Sequence, residues 1–274
     1  MHLLLAIGIL VSATIIAVSA LLLVRRNAPD GGYFHDGDRA AGVFGVLATG
    51  FAVLLGFIVF LAFASYDQSR GGAEVEALTV LQQYETAQFL PDDATPDLSA
   101  ELICYGRFVV HREWPLMKSG DLNDQLNPWG IALFQTLSDV EPESNAEQSA
   151  YDTWFGQTSD REAARQDRVH GAEGIIPISL WIVLFLSAAV IFVFMLFFAD
   201  SGERPVVQAL QIGSVTLVMV ATLLLINILN SPFHSGSGGL TPVAMERTLN
   251  ILEGELAGVG NRGPLPCSDT GDPL

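Results

Sequence analysis

Five histidines, two cysteines and 30 Asp and Glu residues are the groups of this 274-residue chain that could do chemistry, and their spacing forms no reactive set. His2, His35, His111, His170 and His234 are scattered. His111 and Glu113 stand two apart, and on a helix such residues diverge by about 200°, a poor metal pair. Glu74 and Glu76 fail for the same reason, and an ordinary solvated surface accounts for all four. There is no glycine-rich phosphate loop, no His-Glu-x-x-His pair and no Gly-x-Ser-x-Gly elbow. The reading is therefore of no enzyme, with no catalytic, cofactor-binding or metal-ligating residues. Cys104 and Cys267 are too few for a metal cluster. Two readings stand for them: a disulfide, reasonable only on an oxidising side of a membrane, or two unrelated thiols.

The elements that would position any such group are dominated by four apolar runs, 3–24, 41–64, 175–199 and 206–229. None holds an Asp, Glu, Lys, Arg or His. About 20 apolar residues suffice to cross a ~30 Å hydrocarbon core as a helix. One charge at a helix centre would cost about 2.5–3.5 kcal/mol, so four charge-free windows mark a polytopic helical membrane protein. The first run has no basic segment before it and ends in Arg25-Arg26 rather than a small-residue cleavage site, so it reads as a retained span and not a signal peptide. Asn227 and Asn230 sit near one end of the fourth span and Gln208 and Gln211 near the other, suited to interhelical hydrogen bonds or interfacial placement. With no ionisable group at mid-depth, an ion-coupled pump is disfavoured.

The expected organisation is all-α. Residues 1–64 form a first helical hairpin, 65–174 an acidic helical extramembrane domain, 175–230 a second hairpin, and 231–274 a short helix and flexible tail. The 65–174 segment carries 20 acidic against seven basic residues, a net of −13 out of −17 for the chain. That argues against nucleic acid and against an anionic lipid surface. It leaves either a solvated acidic surface or a cation-attracting vestibule. Arg25, Arg26 and Arg39 follow the first span, and Arg204 lies in the turn between the third and fourth. Arg70, Arg161, Arg165 and Arg168 flank the long segment, but long segments cross largely regardless of charge. The rule places the N-terminus and the 65–174 domain outside the plasma membrane.

Within that domain the second span continues past the membrane. It reaches a Gly71-Gly72 break and resumes over 73–89, with Val75, Leu78, Leu81 and Tyr84 at helical spacing. Thr95-Pro96-Asp97 reads as N-cap, first-turn Pro and first-turn acid of a helix with Leu98, Leu102, Tyr105 and Val109 on one face; Pro115 ends it. Asn127-Pro128 opens the next, with Trp129, Leu133, Leu137 and Val140, and Pro142 ends that. A helix over 146–169 carries Tyr151, Trp154 and Phe155 early and Arg161, Arg165 and Arg168 late. Thr241-Pro242 opens a last helix holding Met245, Leu249 and Leu252. No period-two strand pattern occurs.

In the second span, Gly45, Ala48, Ala52 and Gly56 recur at three- and four-residue steps, a stripe that lets another helix approach closely in lipid. Val53, Phe57 and Leu61 lie on a neighbouring face. The stripe is either packing within one bundle or an oligomer seam, with Val53, Phe57 and Leu61 as an apolar constriction that gates by dewetting.

Taken in order, Gly56-Phe57, Glu76-Ala77-Leu78 before Leu90-Pro91, Tyr105 with Glu113-Trp114-Pro115, Arg165-x-x-Arg168, Pro177, Trp181, Pro232-Phe233 and Thr241-Pro242 resemble the bestrophin-like bacterial membrane proteins over nearly the whole chain. The resemblance implies four spans per subunit, a helical extramembrane domain, and an oligomer whose pore is lined by the second span. Bestrophins proper are pentameric anion channels with that domain in the cytosol. This chain departs from them in three ways. Their neck pattern of Ile and two Phe is replaced by Val53-Phe57-Leu61, Arg25-Arg26 argues for the opposite orientation, and a net of −13 repels anions. Glu76, Tyr105, Glu113, Trp114, Arg165 and Arg168 are family-motif residues to which the resemblance assigns no role. We expect Arg165 or Arg168, on one helix face at i, i+3, to bond Glu113 or Glu76.

Two functions fit. One is a homo-oligomeric ion channel in the lipid bilayer. The other is a non-conducting, membrane-anchored helical scaffold that binds a protein partner through its acidic domain.

Overall fold

A computed structural model describes residues 3–120, 127–172, 174–236, 238–258 and 264–274. Its helices are α1 (Leu3–Arg25), α2 (Gly37–Ala87), α3 (Thr95–Phe108), α4 (Trp114–Ser119), α5 (Pro128–Ser138), α6 (Asn145–His170), α7 (Ile178–Leu196), α8 (Pro205–Leu229) and α9 (Val243–Gly258). A π-helical turn, Val109–Glu113, joins α3 to α4. Among the described residues the only β-type pairing is the isolated bridge between Cys267 and Pro273. Four helices are long and apolar enough to cross a membrane: α1, α2, α7 and α8. The protein is an all-α integral membrane protein.

Two compact units divide the chain. The first comprises the described residues up to Ser65, with Gly174–Asn230 and Ser235–Gly238. Phe51, Leu55 and Ile58 of α2 pack with Leu184 and Ile191 of α7 and Ile226 of α8. α1 lies along α8, where a Cβ on Gly213 would sit 3.5 Å from Val18 and 3.7 Å from Thr14. Arg25 closes this bundle at one end, donating from Nε to the Asp200 carbonyl at 3.1 Å and from Nη2 to the Ser201 carbonyl at 2.9 Å. Asn230 Oδ1 accepts from the Ile175 and Ile176 amides at 3.0 Å, satisfying donors that precede α7.

The second unit comprises Tyr66–Glu173, Ser231–His234 and Gly239–Leu274. Its core holds Leu98, Leu102, Tyr105, Trp114, Leu133, Trp154, Phe233 and Leu252. The apolar faces expected for α3, α5 and α9 are the faces buried. The Asn127 side chain caps α5 by accepting from the Trp129 amide at 3.1 Å. Ser144 and Glu147 form a capping box at the start of α6.

Several expectations need correction. First, Gly71-Gly72 does not break α2, which runs unbroken to Ala87. Gly72 is needed for closeness: a Cβ there would lie 2.6 Å from the Ala164 carbonyl oxygen and strike the Arg168 amide nitrogen. Second, of the expected face Tyr84 is buried and Leu81 half-buried, but Val75 and Leu78 are exposed; beside Tyr84, α2 buries Ser69, Glu76, Ala77, Val80 and Gln83. Third, Pro115 does not end a helix. The π turn before it carries the chain into α4, which stops at Gly120 in the left-handed region, φ 71°. Likewise Thr95 is no N-cap; its hydroxyl donates to the Ala87 carbonyl at 2.8 Å. Fourth, the end of the predicted flexible tail is tied down, residues 259–263 lying outside the described residues. Cys267 is joined to Cys104 by a disulfide, with Cα atoms 5.8 Å apart. Trp129 Nε1 donates to the Gly271 carbonyl at 2.6 Å. Arg112 Nε bonds Asp272 Oδ1 at 2.9 Å. Gly271, φ 83°, lies so close to α3 that a Cβ would meet the Phe108 Cα at 2.7 Å.

Candidate functional site

Within the second unit, α2 and α6 run antiparallel through a ladder of polar side chains. Ser69, Glu76 and Gln83 recur every seven residues on α2, as do Arg161 and Arg168 on α6, and all five are buried. Gly171 donates its amide to Ser69 Oγ at 3.1 Å. Arg168 grips Glu76 with two bonds, Nη2 to Oε1 at 3.0 Å and Nε to Oε2. Arg161 Nη1 donates to Gln83 Oε1 at 2.8 Å, and Gln83 Nε2 donates to Thr158 Oγ1 at 3.0 Å. Gln157 Nε2 extends the ladder to Thr86 Oγ1 at 3.0 Å.

A second acid enters the middle of this ladder. Glu113 sits at the end of the π turn, which brings Glu113 and Trp114 inward while His111 and Arg112 face outward. Its Oε1 accepts from Arg165 Nε at 3.2 Å and Nη2 at 3.0 Å, and its Oε2 accepts from Arg168 Nη2. Tyr105 donates its hydroxyl to Glu76 Oε1 at 2.7 Å. Aromatic faces complete the enclosure. Arg168 lies over the Trp114 ring at 5.7 Å and Arg161 over the Tyr105 ring at 4.8 Å, distances suited to cation–π attraction.

Glu76, Glu113, Arg165 and Arg168 together are neutral. Burial alone would raise the Glu113 carboxyl, but the Arg168 and Arg165 guanidiniums outweigh it and hold it below the usual carboxylate range. Burial and the adjacent Glu76 push the Tyr105 hydroxyl well above its ordinary value. Burial works against the Arg168 charge, while Glu76 and Glu113 more than restore it. Around Glu76 and Glu113 the arrangement fixes side chains and presents no open ligand position. Among the described residues no group of three or more His, Cys, Asp or Glu could hold a metal ion.

Of the motif residues, Glu76, Tyr105, Glu113, Trp114, Arg165 and Arg168 therefore meet in one cluster. Glu76 and Glu113 are not surface groups, as their spacing from Glu74 and His111 had suggested. Gln83 and Arg161 went unrecognised as members, although their seven-residue offsets from Glu76 and Arg168 were readable.

The second-span residues are placed otherwise. Val53, Phe57 and Leu61 are 68%, 61% and 38% exposed. A Cβ on Gly45 or Gly56 would meet nothing within 4 Å. Ala52 is exposed and Ala48 half-buried. Packing within one bundle does not use the stripe: the chain's own helices cover the Phe51, Leu55 and Ile58 side of α2 instead.

A family described as the bestrophin-like domain matches residues 10–245. Two solved variants of a bacterial bestrophin homologue from Klebsiella pneumoniae share the fold. One has a TM-score of 0.64 at 12% identity, covering 91% of this chain and 99% of the other. The second has a TM-score of 0.62 at 12% identity, covering 90% and 99%. A crystal structure described as a membrane protein has a TM-score of 0.66 at 12% identity, covering 89% and 98%. No curated protein matches the chain in sequence.

Proposed function

Since the chain belongs to the bestrophin-like family, we propose that it is one subunit of a homo-oligomeric ion channel whose pore is lined by α2. The observation that carries this is the uncovered face of α2. A helix that buries Phe51, Leu55 and Ile58 within its own chain leaves both a small-residue stripe and an apolar row without a partner. The stripe Gly45, Ala48, Ala52 and Gly56 suits a seam between subunits, because small residues let backbones approach where lipid gives no hydrophobic drive. Val53, Phe57 and Leu61 then form the constriction, which closes by dewetting.

On this reading the N-terminus and the disulfide-bearing domain lie outside the plasma membrane. Their orientation is supported by Arg25-Arg26 after the first span and by the cystine itself, which needs an oxidising side. The acidic domain then favours cations. That preference should fade as salt rises, because charges beyond the ~8–10 Å Debye length are screened.

Purified protein in planar bilayers tests the proposal. Phe57→Ala should raise unit conductance. Gly56→Leu should weaken assembly by about 1–3 kcal/mol of overpacking, read as subunit dissociation. A monodisperse monomer that passes no current, unchanged in assembly by Gly56→Leu, would end the channel reading. The non-conducting scaffold, with a protein partner on the acidic domain, would then be the function.

A further inference from the structure

Arg161 differs from the other buried guanidinium, Arg168, in what faces it. Arg168 is met by two buried carboxylates, Glu76 and Glu113. Arg161, 1% exposed, has neutral Gln83 on Nη1 and only the 47%-exposed carboxylate of Glu162, 3.1 Å from Nη2. Its Nε is buried and has no partner. A buried charge without a buried counterion, and a buried donor without an acceptor, are both costly. Elsewhere in this unit the same edge of a guanidinium, Nε with Nη2, is used as a fork: Arg168 takes Glu76 with it and Arg112 takes Asp272. On Arg161 that fork is half empty.

Arg161 also lines an open cavity of about 310 Å³ between α3, α5 and α6. Its other polar lining groups are engaged. Tyr105 donates to Glu76, the Asn127 amide bonds Trp129 N and Tyr105 O, and the Thr158 hydroxyl accepts from Gln83. Arg165, also on the wall, is held by Glu113, and Glu162 by Arg161; the rest is apolar, with Ile131 and Phe134 exposed on it at i, i+3 of α5. A pocket of this size, mostly apolar and with Arg161 as the lining donor left short of partners, suits a small organic ligand.

We propose that this cavity binds a small carboxylate with an apolar body, its two oxygens on the Nε and Nη2 fork of Arg161 and its body against Ile131 and Phe134. Glu162, half in solvent and next to Arg161 in sequence, turns outward, a movement that must both release Nη2 and uncover the buried Nε. Planar bidentate recognition is what arginine does best with a carboxylate. The site is independent of whether the chain conducts.

Benzoate is the probe, with inorganic phosphate as an anion lacking an apolar body, observed by saturation-transfer NMR on the full chain in detergent. Two variants remove the site while sparing the core. Gly130→Leu directs a side chain toward the cavity, where the nearest atom to its Cβ would be Glu162 Oε1 at 3.6 Å. Phe134→Glu places a like charge at the exposed rim. Wild-type protein should give saturable benzoate binding that phosphate does not displace, and each variant should weaken it by about tenfold or more, the scale of one charge-assisted bond. Absence of saturable binding to wild type, equal binding by both variants, or displacement by equimolar phosphate would each overturn the assignment.

Discussion

Removing the charge of Glu113 tests the reading of the buried cluster most directly. Glu113→Gln keeps the side-chain shape and one acceptor oxygen. It turns the other oxygen into a donor facing a guanidinium and leaves Arg165 and Arg168 with one carboxylate between them. Three bonds are affected, two from Arg165 and one from Arg168. Arg168 keeps both its bonds to Glu76, and Arg165, 18% exposed at its side chain, can take water. The loss should therefore fall at the low end of the range for breaking a buried pair, about 3 kcal/mol. Trp114, Trp129 and Trp154 are buried in this unit, so three of the four tryptophans report its unfolding by fluorescence. The pH profile supplies a second readout. A carboxyl held below its unfolded value contributes stability that is complete above about pH 4.3 and is lost as pH falls through the folded value. Wild-type protein should lose stability through that acid window, and Glu113→Gln should lose less. A variant that unfolds within about 1 kcal/mol of wild type, with the same acid slope, would refute a structural role for this acid.

Gly72→Ala should destabilise the same unit by about 1–3 kcal/mol, since its methyl strikes the α6 backbone rather than a movable side chain; the same fluorescence transition reads it. Reducing the Cys104–Cys267 disulfide should cost about 2–4 kcal/mol, and both cysteines should resist alkylation before reduction. An engineered cysteine at Ser144, exposed at the start of α6, should react with an impermeant thiol reagent in intact cells; labelling only after lysis would reverse the proposed orientation.

What could be read from the sequence follows what each signal depends on. The spans and the faces of α3, α5 and α9 were legible because burial there is apolar and its period is local. The α2–α6 ladder was not, because its buried face is polar. Ser69, Glu76 and Gln83 look like surface until Arg161 and Arg168 are known to oppose them, and that pairing lies 75 or more residues away. Gly72 misled for a related reason: a helix-weakening residue in isolation is a requirement when another backbone must come within van der Waals reach. Pro115 did so because the π turn before it is a tertiary device, carrying Glu113 to two arginines, and nothing local announces it. The tail looked loose because it is rich in Gly and Pro, whereas one cystine, one indole bond and two ion pairs, Arg112–Asp272 and Arg107–Asp269, anchor it from other elements.

The proposed orientation rests on two signals that arise from different physics. Arg25, Arg26, Arg39 and Arg204 act during insertion, when short loops rich in arginine stay on the cytoplasmic side. In the folded protein Arg25 is bound to carbonyls of the 200–203 turn, so its charge is also part of the first unit's structure. The cystine acts after insertion: a disulfide buried between α3 and the chain's end persists only where the surroundings do not reduce it. In the proposed topology, four spans put the arginine-bearing loops on one side of the membrane and both cysteines on the other. A helical domain in the cytosol, the arrangement of bestrophins proper, would satisfy neither signal. With the acidic domain outside, the same charges that repel anions would face the external solution, and a conducting oligomer would draw its cations from there.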